Sequence, residues 1–334
     1  MTVAPSGPEV TAVGVVGAGG ISRVHVDAWH RLGLDVVVFS IDGRAGEVAA
    51  SVGGRAVDSL DDLLAAVQVV DVCVPTYEHP AVVAAAAAAG RHVVCEKPLA
   101  VTHDAAADMI SRCAAAGVQL YPGQVVRYFP QNAVAKAAVD AGRIGSPAVL
   151  RLTRRGAAPA APWFADPALS GGVIVDQMIH DIDYARWIAG EVETVWASVA
   201  GGDFSSQQVA SVVLGHENGT LSQLTGGWGG PDQVFTTSLS LAGSAGLIEH
   251  TTRGRDPVQW ETVQVDDHRG ALLPDADPAF SPYLFELAEF LAAFRGGPTP
   301  RVTAADSLAA LDVALAATAS AARGEAVDVK RFLG

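Results

Sequence analysis

The chain has 334 residues, half of them hydrophobic and 17% charged, which excludes a disordered chain and leaves room for two domains of about 150 residues each. Lys and Arg number 22 against 36 Asp and Glu, so the net charge is −14; this repels phosphate backbones and anionic lipid, and neither nucleic acid nor a membrane is expected as a partner. No apolar run approaches the roughly 18 to 20 residues that a membrane span needs.

In chain order, Val13 to Val16 is a short buried-strand pattern, and Ile21 to Leu32 spaces Ile21, Val24, Ala28 and Leu32 along one helical face. Val36 to Phe39 is the next strand. Ala45 to Val52 and Leu60 to Ala66 read as helices, Val69 to Val74 as a strand, and Pro80 to Ala89 as a helix that Gly90 ends. His92 to Cys95 returns to strand, a helix led by Thr102 closes at Gly117, and Val118 to Tyr121 supplies one more strand. Strict strand–helix alternation predicts a doubly wound parallel sheet, the Rossmann arrangement, over residues 1–124.

From Val125 the texture changes. Gln131 to Ala141 reads as a helix, and then Val149 to Thr153, Thr194 to Val199, Val209 to Leu214, Thr220 to Gly226 and Thr236 to Leu241 follow as strands with few helices between them. Two long helical patterns, Tyr283 to Phe294 and Ala304 to Arg323, close the chain. Residues 125–334 are therefore expected to form an α+β domain around a mostly antiparallel open sheet, so the whole chain is of the α/β class.

Chemistry begins at the first turn. Gly17-Ala18-Gly19-Gly20-Ile21-Ser22 fits G-x-G-x-x-small between a strand and a helix. Gly17 permits the tight turn, Gly19 lets a pyrophosphate approach the backbone, and Gly20 and Ile21 open a helix whose free N–H groups face that anion. At the end of the second strand, an acidic residue would hold the adenosine ribose hydroxyls. Ser40 stands there instead, followed by Asp42 and Arg44. Ser40 and Arg44 suit a 2′-phosphate and Asp42 argues against one, so the cofactor is NADP(H) or NAD(H) with a slight lean to NADP(H). A solvated cation at a helix start is the plain alternative for Arg44.

Lys97 follows a buried strand and precedes Pro98, which places its ammonium at a strand's carboxyl end, where open α/β sheets bind ligands. Asp176 and His180 are four apart in a pattern that reads as one helix running to Gly190, so both project from one face. A carboxylate on one imidazole nitrogen fixes the tautomer and leaves the other nitrogen to exchange a substrate proton near neutral pH. Asp176 and His180, with Asp183 nearby, would also suit zinc, but the further ligands that complete a site are not evident at metal spacing, and no metal is expected.

These motifs together resemble the glucose–fructose oxidoreductase, inositol dehydrogenase and rhizopine-catabolism family, called Gfo/Idh/MocA. The residues that carry the resemblance are Val74 to His79, then Gly90 to Leu99 with Glu96-Lys97-Pro98, Arg127 to Pro130, Gly142 to Gly145, and Gly171 to Asp183. The resemblance implies an NAD(P)-dependent dehydrogenase or reductase acting on a secondary alcohol or ketone of a sugar, cyclitol or related polyol. It implies Lys97, His180 and Asp176 as catalytic residues, and Pro75, Thr76, His79, Glu96 and Lys97 as cofactor contacts beside the glycine turn. His79 reads equally well as a cap on the helix at Pro80.

Arg127, Tyr128, Trp163 and Tyr283, with Asp176 and His180, are the expected substrate residues, since aromatic faces suit sugar C–H groups and polar tips fix hydroxyls. Trp228, between two glycines, reads as packing. The family also contains redox-neutral enzymes that use bound NAD transiently and sensors that do no chemistry, and both stay open as alternatives. Its members commonly pair, so a homodimer or homotetramer through the second-domain sheet is expected.

Cys73, Cys95 and Cys113 are too few and too odd in number for a disulfide framework, which fits a reducing compartment. Residues 1–10, MTVAPSGPEV, show neither a basic nor an apolar leader pattern, and a cytoplasmic location is the expectation.

Overall fold

The computed structural model describes residues 9–201, 207–252 and 281–332; most of the N-terminal stretch read above for a leader lies outside them. The chain forms two compact units, Met1–Tyr128 with Ala276–Leu308, and Phe129–Asp275 with Ala309–Gly334.

In the first unit, strands β1 (Ala12–Val16), β2 (Asp35–Phe39), β3 (Arg55–Ala56), β4 (Val69–Val72), β5 (His92–Glu96) and β6 (Leu120–Gly123) alternate with helices α1 (Gly20–Arg31), α2 (Ala45–Ala50), α3 (Leu60–Ala66), α4 (His79–Ala88) and α5 (His103–Ala115). The strands are all parallel in the order β3-β2-β1-β4-β5-β6. Each crossover helix buries one stripe: Val26 and Trp29 of α1 and Leu63 of α3 are fully buried, as are Val13, Val15, Val38, Val69, Val70 and Val94 in the sheet. Side chains of this kind contribute roughly 1.5–3 kcal/mol each when buried. Helix α3 sits so close to β1 that a Cβ at Gly14 would come 2.3 Å from Leu63 Cδ2. Ser59 and Thr102 cap α3 and α5, their hydroxyls accepting Asp62 N–H at 3.0 Å and Ala105 N–H at 3.3 Å. Strand β3 escapes a hydrophobic-pattern reading because it has two residues, both exposed.

The second unit contains α6 (Pro130–Asp140), β7 (Pro147–Ala157), α7 (Pro167–Ser170), α8 (Gly172–Asp176), α9 (Ile179–Ala189), β8 (Val192–Ala200), β9 (Gln208–His216), β10 (Leu221–Gly229), β11 (Thr236–Gly243) and β12 (Leu247–Thr251). Helix α10 (Pro282–Phe294) returns to the first unit, α11 (Ala304–Arg323) begins there and continues in the second, and β13 (Val327–Asp328) and α12 (Val329–Phe332) end the chain. The seven-stranded sheet runs β12-β11-β7-β10-β9-β8-β13, antiparallel except for the β7–β10 pair. Among the described residues, α11 has the length and apolar composition of a membrane span. It reads as a core helix, because Ala310, Leu311, Ala314 and Ala317 are fully buried in the fold.

The helix expected to run unbroken from Asp176 to Gly190 is two helices. Met178 N–H reaches back five residues to Val173 O at 3.0 Å, and α9 starts anew with Met178 O accepting Asp181 N–H at 3.0 Å and Ile182 N–H at 2.9 Å. Packing explains the break. Met178 is fully buried over β10, where a Cβ on Gly226 would lie 2.3 Å from its Cγ.

Candidate active site

The glycine turn is built as its sequence requires. Gly17 has φ +112°, and a Cβ there would lie 2.5 Å from Cys73 O, so only glycine fits. Its N–H donates to Phe39 O at 2.8 Å, tying the turn to β2. Cβ atoms built on Gly19 or Gly20 meet no atom within 4 Å. No acidic residue occupies the first turn of α1, and Gly19 places no capping side chain over its N–H groups. An open approach to an uncapped, twelve-residue helix fits a dinucleotide pyrophosphate. Ile21 is half-buried behind this turn, and Ser22, where a third glycine is usual, is fully buried against the sheet.

Past β2, Ser40, Asp42 and Arg44 form one exposed cluster. Asp42 Oδ1 accepts the Ser40 hydroxyl at 2.8 Å and Arg44 N–H at 3.0 Å, while its Oδ2 accepts Arg44 Nε–H at 2.7 Å. The Arg44 hydrogen bond holds the Asp42 carboxyl well below the usual range, at about 2.

At the end of β5, Glu96 is buried and Lys97 half-buried; the Lys97–Pro98 peptide is cis. Glu96 Oε2 accepts Lys97 N–H at 3.0 Å. Pro75 and Thr76 stand at the carboxyl end of β4, in and before a single 3-10 turn. His79 does not cap a helix by side chain. It is fully inside, with Nδ1 3.0 Å from Pro98 O and 3.2 Å from Leu99 O, and Nε2 3.0 Å from Val74 O. Burial lowers its pKa, against the pull of those carbonyls, and the ring braces the Pro75 turn against the Lys97 turn.

In the second unit, Gly171 and Gly172 are both left-handed, with φ +77° and +71°, and launch α8 so that Asp176 falls at its end, buried. His180 is half-buried in the first turn of α9. The carboxylate and imidazole therefore flank the break at Gln177 and Met178. They do not share one regular helical face. Helix α9 is pinned next to His180, because Asp181 accepts Arg154 Nε–H at 3.0 Å and Nη2–H at 2.9 Å from β7, a buried two-pronged ion pair.

The expected substrate residues divide. Arg127 and Tyr128 are each 2% exposed and serve the first unit's interior. Arg127 Nη1–H donates to Arg301 O at 2.7 Å and its Nη2 lies 3.4 Å from Asp306 Oδ1. Tyr128 lies under the Arg301 guanidinium at 4.5 Å and donates to Glu289 at 3.4 Å. Sequence spacing places this pair after a strand end but gives no sign of Glu289, Arg301 and Asp306, which come from far along the chain. Trp163 is half-buried and stacks on Phe164 at 3.7 Å; Phe164 meets Trp228 edge-on at 6.2 Å, the packing expected of Trp228. Tyr283 opens α10, buried, its ring 5.8 Å from that of His25.

His25 and Asp71 do not stand out in the motif reading, yet both are fully buried behind Glu96, next to Lys97 in the first unit. Their signal is an aspartate in the otherwise all-valine run Val69-Val70-Asp71-Val72 and a histidine on the inner face of α1.

Comparison with known proteins agrees with this geometry. Residues 11–124 match the family described as "Oxidoreductase family, NAD-binding Rossmann fold", and residues 133–249 match the "GFO/IDH/MocA C-terminal domain". The chain is 31% identical to a myo-inositol 2-dehydrogenase of Thermotoga maritima, over 96% of this chain and 99% of that one. It is 30% identical to a 1,5-anhydro-D-fructose reductase of Ensifer adhaerens, with the same coverage, 96% and 99%. The crystal structure of a probable dehydrogenase from Thermotoga maritima superposes with a TM-score of 0.82 at 28% identity, covering 96% of this chain and 99% of that one. The chain belongs to the Gfo/Idh/MocA family and is an NAD-binding, Rossmann-fold oxidoreductase acting on CH–OH groups.

Proposed function

We propose that the protein transfers hydride between a nicotinamide dinucleotide and a secondary alcohol or ketone of a sugar, cyclitol or related polyol, with Lys97, His180 and Asp176 as its catalytic residues. The observation that carries this reading is the Glu96–Lys97 turn: a lysine at the carboxyl end of β5, its backbone N–H fixed by a buried carboxylate at 3.0 Å, in the same parallel sheet as the glycine turn. The bound dinucleotide supplies the hydride acceptor or donor. Gly17, Gly19, Gly20 and Ile21 hold its pyrophosphate, and Pro75, Thr76, His79 and Glu96 shape the edge of its site. The Lys97 ammonium hydrogen-bonds the reacting oxygen and stabilises negative charge that develops there. His180 Nε2 or Nδ1 exchanges the hydroxyl proton, and Asp176 orients the ring. Trp163 and Tyr283 offer aromatic faces to the sugar, while Arg127 and Tyr128 act behind the site by holding its wall.

For the ribose, Ser40 leaves room that an aspartate would deny to a 2′-phosphate, and Arg44 stands 55% exposed. An exposed ion pair is worth little to break, so a doubly charged phosphate competes for Arg44 against Asp42, and NADP(H) is the favoured cofactor. Trp196, Val209 and Leu221, 42%, 44% and 37% exposed on one face of the second sheet, suit pairing of two copies, which light scattering of the purified chain tests.

The deciding experiment is turnover of a polyol and cyclitol panel with both cofactors, following free NAD(P)H. Stoichiometric reduction supports the reading. Product without net NAD(P)H change assigns a redox-neutral reaction, and no product from any polyol in the panel removes the dehydrogenase.

A further inference from the structure

A line of buried polar groups runs through the first unit to the Lys97 turn, and His25, Asp71 and Trp29 have no part in the function as proposed. Asp71 Oδ2 accepts Trp29 Nε1–H at 2.6 Å and His25 Nδ1–H at 2.8 Å. The other edge of the same imidazole faces Glu96, with Nε2 3.1 Å from Oε1. The second Glu96 oxygen accepts the Lys97 N–H at 3.0 Å. Cys73 completes the surroundings, its thiol donating to Asp71 Oδ1 at 3.5 Å and lying 3.6 Å from His25 Nδ1. Tyr283 of α10 closes the side at 5.8 Å between ring centres.

A neutral imidazole has one donor nitrogen and one acceptor nitrogen. Between two carboxylates, the neutral ring would aim a lone pair at one of them where the ring is fully buried, which is costly. The imidazolium suits both: it donates to Asp71 and pairs by charge with Glu96, whose Oε1 lies 3.1 Å from Nε2 outside hydrogen-bond geometry. Burial opposes that charge, but the Asp71 carboxylate, by its charge and its hydrogen bond, holds the His25 pKa well above its ordinary value. Cys73 does not supply the balancing charge, because burial, then Asp71, push its thiol up to about 12. The carboxylates balance the ring. Glu96 is also walled from the far side, since a Cβ on Gly123 of β6 would lie 2.9 Å from Glu96 Oε1.

We propose that His25 is a positioning residue for Lys97: as an imidazolium clamped between Asp71 and Glu96, it fixes the Glu96 carboxylate under the Lys97 backbone N–H and so sets the direction in which Lys97 leaves β5. The inference rests on the catalytic reading of Lys97. Its consequence is kinetic, because a displacement of about 1 Å at a reacting group costs on the order of a hundredfold in rate.

Two measurements on the full-length protein test it. In two-bond 1H–15N spectra of the ¹⁵N-labelled wild type, His25 is expected to carry protons on both ring nitrogens at about pH 7.5, above the ordinary histidine pKa of about 6.5; a single protonated nitrogen overturns the proposal. In kinetics, His25→Asn, whose amide reaches only toward Asp71, should lower kcat at least about tenfold with cofactor Kd changed less than about threefold, and His25→Gln, which reaches toward Glu96, should lose less. Either substitution added to Lys97→Ala should cost nothing further, because His25 acts through Lys97. Full turnover by His25→Asn, or losses that multiply with Lys97→Ala, overturn the proposal. A Lys97→Ala enzyme that keeps its turnover is the distinct failure of the catalytic reading itself. The spectra decide the charge state even if neither His25 variant folds.

Discussion

Arg44 Nε–H donates to Asp42 Oδ2 at 2.7 Å, and this pair, with Ser40 on the other oxygen at 2.8 Å, occupies the place where a dinucleotide fold reads the adenosine ribose. An aspartate at that place accepts both ribose hydroxyls and repels a 2′-phosphate. Here the carboxylate is already satisfied by its neighbours.

Asp42→Asn removes the negative charge and releases the guanidinium, so it should tighten NADP(H) binding at least about tenfold relative to NAD(H). Ser40→Asp should do the opposite. Fluorescence titration of both cofactors against wild type and each variant checks this, and a wild-type preference for NAD(H) of tenfold or more would show that Arg44 never engages a phosphate.

If Lys97 hydrogen-bonds the reacting oxygen as proposed, Lys97→Ala should lower kcat by at least about a hundredfold while cofactor Kd shifts by less than about threefold, because that bond would strengthen mainly as charge develops on the oxygen. Steady-state kinetics beside cofactor titration separate the two terms. Lys97→Arg keeps the charge but not the compact donor, and should recover only a small part of the loss.

The longer elements were legible because periodicity is a local property: α3 spans Leu60–Ala66 and α11 Ala304–Arg323, where the spacing of apolar residues places them, whereas short pieces such as β3, β12 and β13 were not. The glycine turn was legible too, since Gly17 is dictated by its own φ and by the close Cys73 carbonyl. What stayed hidden depends on contacts distant in sequence. The break at Gln177 and Met178 is set by Gly226, and Arg127 is drawn inward by Arg301 and Asp306. Neither partner leaves a mark near the residue it controls. The return of α10 to the first unit is hidden for the same reason, because its helical pattern carries no information on which sheet it will cover.

The contribution of His25 to stability should fall as pH rises through neutrality, while His79, His92 and His216, whose pKa values burial lowers, contribute in the opposite sense. His25 has a raised pKa in the folded protein, so the fold binds a proton that the unfolded chain releases above about pH 6.5. The stabilisation is complete below that value and is lost as pH climbs toward the folded pKa, with a slope approaching about 1.4 kcal/mol per pH unit. The thiols of Cys73 and Cys95, both pushed up by burial, add loss of the same sign only above about pH 8.5. Urea denaturation of wild type and His25→Gln between about pH 6.5 and 8 isolates the histidine. A slope that survives the substitution would assign the proton to another group.

Asp176 and His180 sit on either side of the break between α8 and α9, which sharpens the test of whether they act as one unit. A regular helix would hold them together by spacing alone; here Met178, seated over Gly226, and Asp181, bound to Arg154, fix the two segments that carry them. His180→Ala should remove the pH-dependent limb of the kcat/KM profile attributable to an imidazole, and Asp176→Asn should keep that limb and lower the rate, since the proton carrier remains while its orientation weakens. The double variant should be little slower than His180→Ala alone, because groups that work through each other are not additive. Gly226→Ala supplies the structural arm: its methyl would displace Met178, and the same non-additivity with His180→Ala is expected if the break positions the pair. Losses that multiply in the double variants, or a pH profile that persists without His180, would show that the residues act independently and that the proton leaves by Lys97 or Tyr283.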